Sequence, residues 1–174
     1  GADVTVYKSD GVTSAGTSTT AAKTSTTAGK SSVNIGTYSG IAVLQVKGNS
    51  SSTYYDESTS ADASFAATNT LVSAVAAGTT SAGVTPLTTM AAKLSGIDTD
   101  ALGTAGAVPS GLTSDTIVEG GARLILALGL PADFNIFAVP TVIKSDADIA
   151  TADANAALIA TIGKNATGGA AAYF

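Results

Sequence analysis

The sequence predicts an α+β fold. An N-terminal antiparallel β-sandwich over residues 1–58 is followed by a mainly helical half over 59–174 that packs on it. Three observations predict this. Up to about residue 57, apolar residues alternate with period two in short runs broken by Gly, Asn and Asp. Beyond that point they recur at three- and four-residue steps. The later runs are bracketed by helix start and stop signals, Thr-Pro and Gly.

The opening strand carries Ala2, Val4 and Val6 on one face, with Asp3, Thr5 and Tyr7 on the other, and Ser9-Asp10-Gly11 ends it in a turn. Val12 to Ser31 is dominated by Ser, Thr, Ala and Gly. It reads either as a flexible, O-glycosylated stretch or as two Thr-rich strands, and the turn chemistry of Ala28-Gly29-Lys30 favours the strands. Ser32–Ile35 is a short strand with Val33 and Ile35 inward. Ile41 to Val46 is the strongest strand of this half, Gly48-Asn49 a turn, and Thr53–Asp56 extended again.

Ser60 then reads as the cap of a helix over 61–77, with the stripe Phe65, Thr68, Leu71, Val72 and Val75 and with Gly78 just past its end. Thr85-Pro86 supplies N-cap and first turn of the next helix, whose stripe is Leu87, Met90, Ala91 and Leu94 and whose stop is Gly96. A third helix runs about 115–128, capped by Ser114 and ended by Gly129 and Pro131. Gly120-Gly121 inside it either weakens it, by about 1 kcal/mol per glycine, or marks a break or a close helix–backbone contact. Residues 134–143 are β-like, but Pro140 makes them an edge strand or a loop. Ser145-Asp146-Ala147-Asp148 resembles a capping box for a last helix that ends near Gly163. The Gly- and Ala-rich tail closes on Tyr173-Phe174, an anchor for another surface or a frayed end.

Composition excludes several chemistries. The chain has no His and no Cys, so Ser-His-Asp and Cys-His nucleophiles, disulfides and the usual zinc sites are ruled out. The net charge is −5 and the eight Lys and Arg are scattered, which argues against nucleic-acid partners. Charged residues are 12%, about half the usual share, and no run of about 18 apolar residues could span a membrane. Asp98/Asp100 and Asp146/Asp148 read as helix caps rather than as glycosidase acids or calcium ligands, since neither the spacing nor stacking aromatics support those roles. Tyr54-Tyr55 offers a sugar-stacking pair or, with strand alternation, one core and one surface ring. Arg123 is placed to pair with Glu119. Asn49-Ser50-Ser51 and Asn165-Ala166-Thr167 fit the glycosylation triplet, which chance produces often in such a chain. No catalytic residue, cofactor site or metal site is expected.

Gly1-Ala2-Asp3-Val4-Thr5-Val6-Tyr7, the Asp10-Gly11 turn, and Thr37-Tyr38-Ser39-Gly40 ahead of the Leu44-Gln45-Val46 strand resemble the transthyretin-like domain, the carboxypeptidase-regulatory-like β-sandwich of bacterial exported and surface proteins. Val84 to Met90 is similar to the segment that introduces appended helices in large exported proteins of that kind. The resemblance covers about residues 1–95, and Thr24–Ser32 departs from it. It implies an extracellular or cell-surface location. It also implies that the strand at Ala2, Val4 and Val6 is normally preceded by another, which is missing ahead of Gly1. A sandwich open there would accept a strand from a neighbouring copy. The expected function is therefore a structural subunit of a surface filament, assembled by strand complementation through Ala2, Val4 and Val6 or through the Tyr173-Phe174 anchor. Its partners would be copies of itself, with other surface proteins or glycans besides. The alternative is a non-catalytic carbohydrate- or protein-binding module of a larger secreted protein.

Overall fold

The alternation of Val4 and Val6 with Thr5 and Tyr7 does produce a strand, β1 (Asp3–Tyr7), and the Asp10-Gly11 turn folds the chain straight back into β2 (Ser14–Thr19). The structure, a computed structural model, describes residues 1–165. Asp10 locks the turn: its carboxylate accepts from the backbone of Val12 and Thr13 (both 2.8 Å) and from the Thr13 hydroxyl (2.6 Å). Gly11 takes φ +70°, which a side chain would resist. The next strands are β3 (Ala42–Lys47), β4 (Thr53–Asp56), β5 (Ala61–Ser64) and β6 (Thr70–Val75). β1, β2, β3 and β6 form one antiparallel sheet in the order β2-β1-β3-β6, and β4 and β5 form a separate hairpin. Among the described residues four helices follow: α1 (Pro86–Leu94), α2 (Ser114–Ala127), α3 (Asp146–Ile149) and α4 (Ala154–Asn165). The fold is thus mixed α+β.

The helix expected over 61–77 is instead β5, a turn in which the Asn69 N–H donates to the Ala66 carbonyl, and β6. Val72, Ser73, Ala74 and Val75 are buried in succession, because β6 has α1 on one face and the loop before β3 on the other. A strand covered on both faces has no period-two signal, and its apolar run passes for a helical stripe. Ser60, the expected cap, sits at φ +52° at the start of β5. Since β6 pairs with β3, the four-stranded sheet runs across residue 58, where the domain boundary was expected.

Smaller corrections follow the same logic. Residues 32–35 form no strand, and of the edge strand or loop expected over 134–143 the structure has the loop. Val33 and Ile35 do turn inward, packing on Val6, Ala42 and Val75. Residues 20–31 fold into turns rather than a second Thr-rich strand, closed by bonds from Ala21 N–H to the Lys30 carbonyl and from Gly29 N–H to the Ala21 carbonyl. The last helix breaks in two, because Asp153 caps α4 by accepting from Ala156 N–H at 3.0 Å. Asp98 caps no helix; it accepts from Asp100 N–H in a local turn.

The helix signals hold at α1 and, shifted by one residue, at α2, while Ser145 makes no side-chain cap bond to α3. Thr85 and Thr88 make a reciprocal capping box on α1, with Pro86 in its first turn. Thr113 rather than Ser114 caps α2, in the same way with Thr116. The glycine pair is a contact and not a break. A Cβ on Gly120 would stand 2.7 Å from the Ala91 carbonyl of α1, and one on Gly121 would stand 2.8 Å from the Phe137 ring. One core lies between the sheet and these helices, built on Val43, Val72, Ala74, Ala92, Ile97 and Ile117. A second, around Leu87, Leu124 and Ile136, holds α4 through Leu158, Ile159 and Ile162.

Candidate functional site

β1 is central, not open. It pairs with β2 through the register Val4↔Ser18 and Val6↔Gly16, and with β3 through Val4↔Val46 and Val6↔Leu44. Ala2, Val4 and Val6 are buried core residues at 7%, 5% and 5% exposure. This corrects the expectation that they line an acceptor groove: the strand that seemed to be missing is supplied by β2. Tyr173 and Phe174 lie outside the described residues.

The open edge of the four-stranded sheet is one strand further out. Thr20 N–H donates to the Ala2 carbonyl, so alternation along the ladder turns Ser18 and Gly16 toward β1. The backbone N–H and C=O of Thr17 and Thr19 therefore face away from the sheet, and no described residue bonds them. Both threonines are exposed. Ser14 to Ala22 contains no charged residue and no proline, the two devices that usually blunt such an edge. The bulge at Ala15 ends the regular ladder at Gly16.

The opposite edge is covered by α1, which bonds the middle one of its three outward-facing residues, Thr70, Val72 and Ala74. The same alternation points the N–H and C=O of Val72 outward from β6, and α1 meets both. Thr89 Oγ1 accepts from Val72 N–H at 2.9 Å, and Thr88 Oγ1 donates to the Val72 carbonyl at 2.9 Å. Both threonines are buried. Both strands of the separate hairpin are edges of only four residues, and β5 carries Asp62, which pairs with Lys23.

The second polar cluster joins that hairpin to the C-terminal helices. Asp146 accepts from the Tyr55 hydroxyl at 2.8 Å and from Ser60 Oγ at 2.7 Å, with Lys164 Nζ 3.9 Å away. The Ser60 and Tyr55 bonds hold its carboxyl below the usual range. The Tyr55 ring lies under Lys23 Nζ at 5.5 Å, and the Tyr54 ring meets Phe65 edge-on at 6.4 Å, so both rings are engaged within the chain. Asn49, the first glycosylation triplet's acceptor, donates its amide to the Gly1 carbonyl and to Asp3 Oδ1. Arg123 does pair with Glu119.

Glu57 beside this cluster is buried, and burial raises its carboxyl above the usual range. Asp56 adds to that effect, while its own backbone N–H and Lys164 oppose it. The folded chain holds this proton more tightly than the unfolded chain, so the group costs stability as pH rises from the ordinary value of 4.5 through the folded one. Glu57→Gln is expected to raise the melting temperature at pH 7 by ~2–4 °C and to lose that gain near pH ~3.5, where the carboxyl is protonated in both states. Thermal unfolding followed by circular dichroism at the two pH values checks it; an equal effect at both would show that charge is not the cause.

Among the described residues no helix is long and apolar enough to cross a membrane. No family model matches this chain, and neither a curated protein nor a solved structure matches it.

Proposed function

We propose that this chain is a non-catalytic structural protein of an extracellular surface assembly, and that it joins to copies of itself by strand addition at the outer edge of β2. One observation carries the reading: at the β2 edge the backbone groups of Thr17 and Thr19 turn out with no bond from any described residue, while at the other edge α1 bonds both backbone groups of Val72. An edge of that kind is a template for another strand. On this reading the four-stranded sheet is one layer of the transthyretin-like sandwich that the N-terminal sequence resembles, with α1 and α2 against it. The absence of His and Cys supports a non-catalytic role, and low charge lets copies approach without strong repulsion. The sugar-binding alternative draws less support, because Tyr54 and Tyr55 are occupied inside the chain.

Thr17→Pro tests the edge. Its N–H faces outward, so proline removes a donor from the edge without removing one from the β1 ladder. Sedimentation should show concentration-dependent association of the wild-type chain and a Kd raised ~10-fold or more in the variant, at an unchanged unfolding midpoint. A wild-type chain that stays monomeric at millimolar concentration, or a variant that associates as well as wild type, would refute strand addition at β2.

A further inference from the structure

We infer that the strand added to β2 is the β2 of a second copy, antiparallel about a two-fold axis through Ser18, so that the unit of assembly is a closed pair. The inference rests on the reading of β2 as the associating edge and adds the identity of the occupant. Thr17 and Thr19 are the two regular outward-facing residues of β2, spaced two apart with Ser18 between them. An axis at Ser18 sets Thr17 of one copy opposite Thr19 of the other, twice. Each of these is a hydrogen-bonded pair exchanging two N–H···O=C bonds, so all four outward N–H groups and all four carbonyls find partners. An axis at Thr17 would instead oppose Thr19 to Ala15, where the bulge has broken the ladder. Next to the central pairs Gly16 faces Thr20, and there the ladder ends, because Ala15 lies in the bulge and the outward groups of Ala21 are already bonded to Gly29 and Lys30 of its own chain. A patch that is its own complement makes an isologous contact.

The pair closes because the far edges are guarded. The joined sheet has eight strands, four from each copy, in the order β6-β3-β1-β2 followed by its reverse. Both of its new edges are β6, whose Val72 is bonded to Thr88 and Thr89. Growth into a ribbon by sheet edges therefore stops at two copies. A fibre built by strand complementation would need a donated segment instead, and this would give a series of multimers.

The chain has no cysteine, so one introduced thiol reports alone. In the pair the two Ser18 residues face each other across the axis as a non-hydrogen-bonded pair, with Cα atoms ~4.5 Å apart, within the range a disulfide spans. Mild oxidation of full-length Ser18→Cys should give a covalent dimer at least ~5-fold faster than Ser31→Cys, a control outside the strand. Light scattering of the wild-type chain should give twice the monomer mass and no higher multiple. Because the Ser18 side chain is half-buried, a second measurement is needed. An equimolar mixture of Thr17→Cys and Thr19→Cys chains should yield the mixed disulfide at well over twice the amount of either homodimer, the ratio that random pairing gives. A ladder of multimers, or a mixed disulfide at or below that random ratio, would overturn the pair. If Thr17→Pro abolishes association while Ser18→Cys and the mixture fail to cross-link, strand addition stands and the two-fold pair falls. If Thr17→Pro leaves association intact, the edge reading itself falls.

Discussion

Gly48→Ala should cost at least ~3 kcal/mol of unfolding free energy, a large share of the ~5–15 kcal/mol that holds a domain of ordinary stability. Gly48 lies where the chain leaves β3, pressed against the connection between β5 and β6. Its N–H donates to the Asn69 carbonyl at 3.0 Å. A Cβ there would stand 2.0 Å from the Phe65 carbonyl oxygen and 2.1 Å from that of Ala66. Both are backbone atoms, so neither can swing aside as a side-chain tip would. The methyl is accommodated only by moving the β5–β6 connection, and with it the register of β6 on β3. Gly111→Ala is the internal control. No atom lies within 4 Å of its would-be Cβ and its φ is not positive, so it should be neutral or stabilise by ~0.4–1 kcal/mol through the unfolded chain. Urea midpoints for the two variants, compared at equal slope, decide the matter. A Gly48→Ala midpoint within error of wild type would mean that the crossing is looser than the packing shows.

What the sequence made legible was chemistry that acts over a few residues. Thr85-Pro86 starts a helix because a threonine hydroxyl and a missing N–H solve a local problem, and the structure places the capping box there. The Asp10-Gly11 turn was legible for the same reason. A tight turn delivers the next strand alongside the one before, so β2 fills the place beside β1 that the resemblance leaves vacant. β6 was misread because burial on both faces erases alternation. Asn69, in the turn that separates β5 from β6, was the available warning. The covering of β6 by α1 was out of reach. Thr88 and Thr89 read as unremarkable polar positions on a helix, and nothing at short range says that they meet a strand residue sixteen and seventeen positions earlier. Gly120 shows the middle case: a glycine pair inside a helix announces a constraint, but only the packing of α1 says which one.

The double substitution Thr88→Val, Thr89→Val should lower stability by ~3–6 kcal/mol and also change how the chain associates. Valine keeps the shape of threonine, so the cavity term is small and the loss is almost wholly in hydrogen bonds. Thr88 Oγ1 accepts from Thr85 N–H at 2.8 Å while donating to the Val72 carbonyl. Thr89 Oγ1 accepts from Val72 N–H and donates to the Thr85 carbonyl at 2.8 Å. Removing both hydroxyls strands the buried Thr85 N–H and both backbone groups of Val72, at ~1–3 kcal/mol for each unsatisfied group. Thr88→Ser, Thr89→Ser keeps every one of these bonds and should lose less than half as much, which separates hydrogen bonding from packing. The change in association follows from the same geometry. With α1 no longer bonded to it, the β6 edge becomes a second template, and a sheet with two open edges has no reason to stop at two copies. The valine pair, at concentrations where it is still folded, should therefore form higher multimers that the serine pair does not, and adding Thr17→Pro should reduce them. If the valine pair unfolds without ever exceeding the wild-type mass, the threonines act on stability alone, and some other part of the chain limits growth.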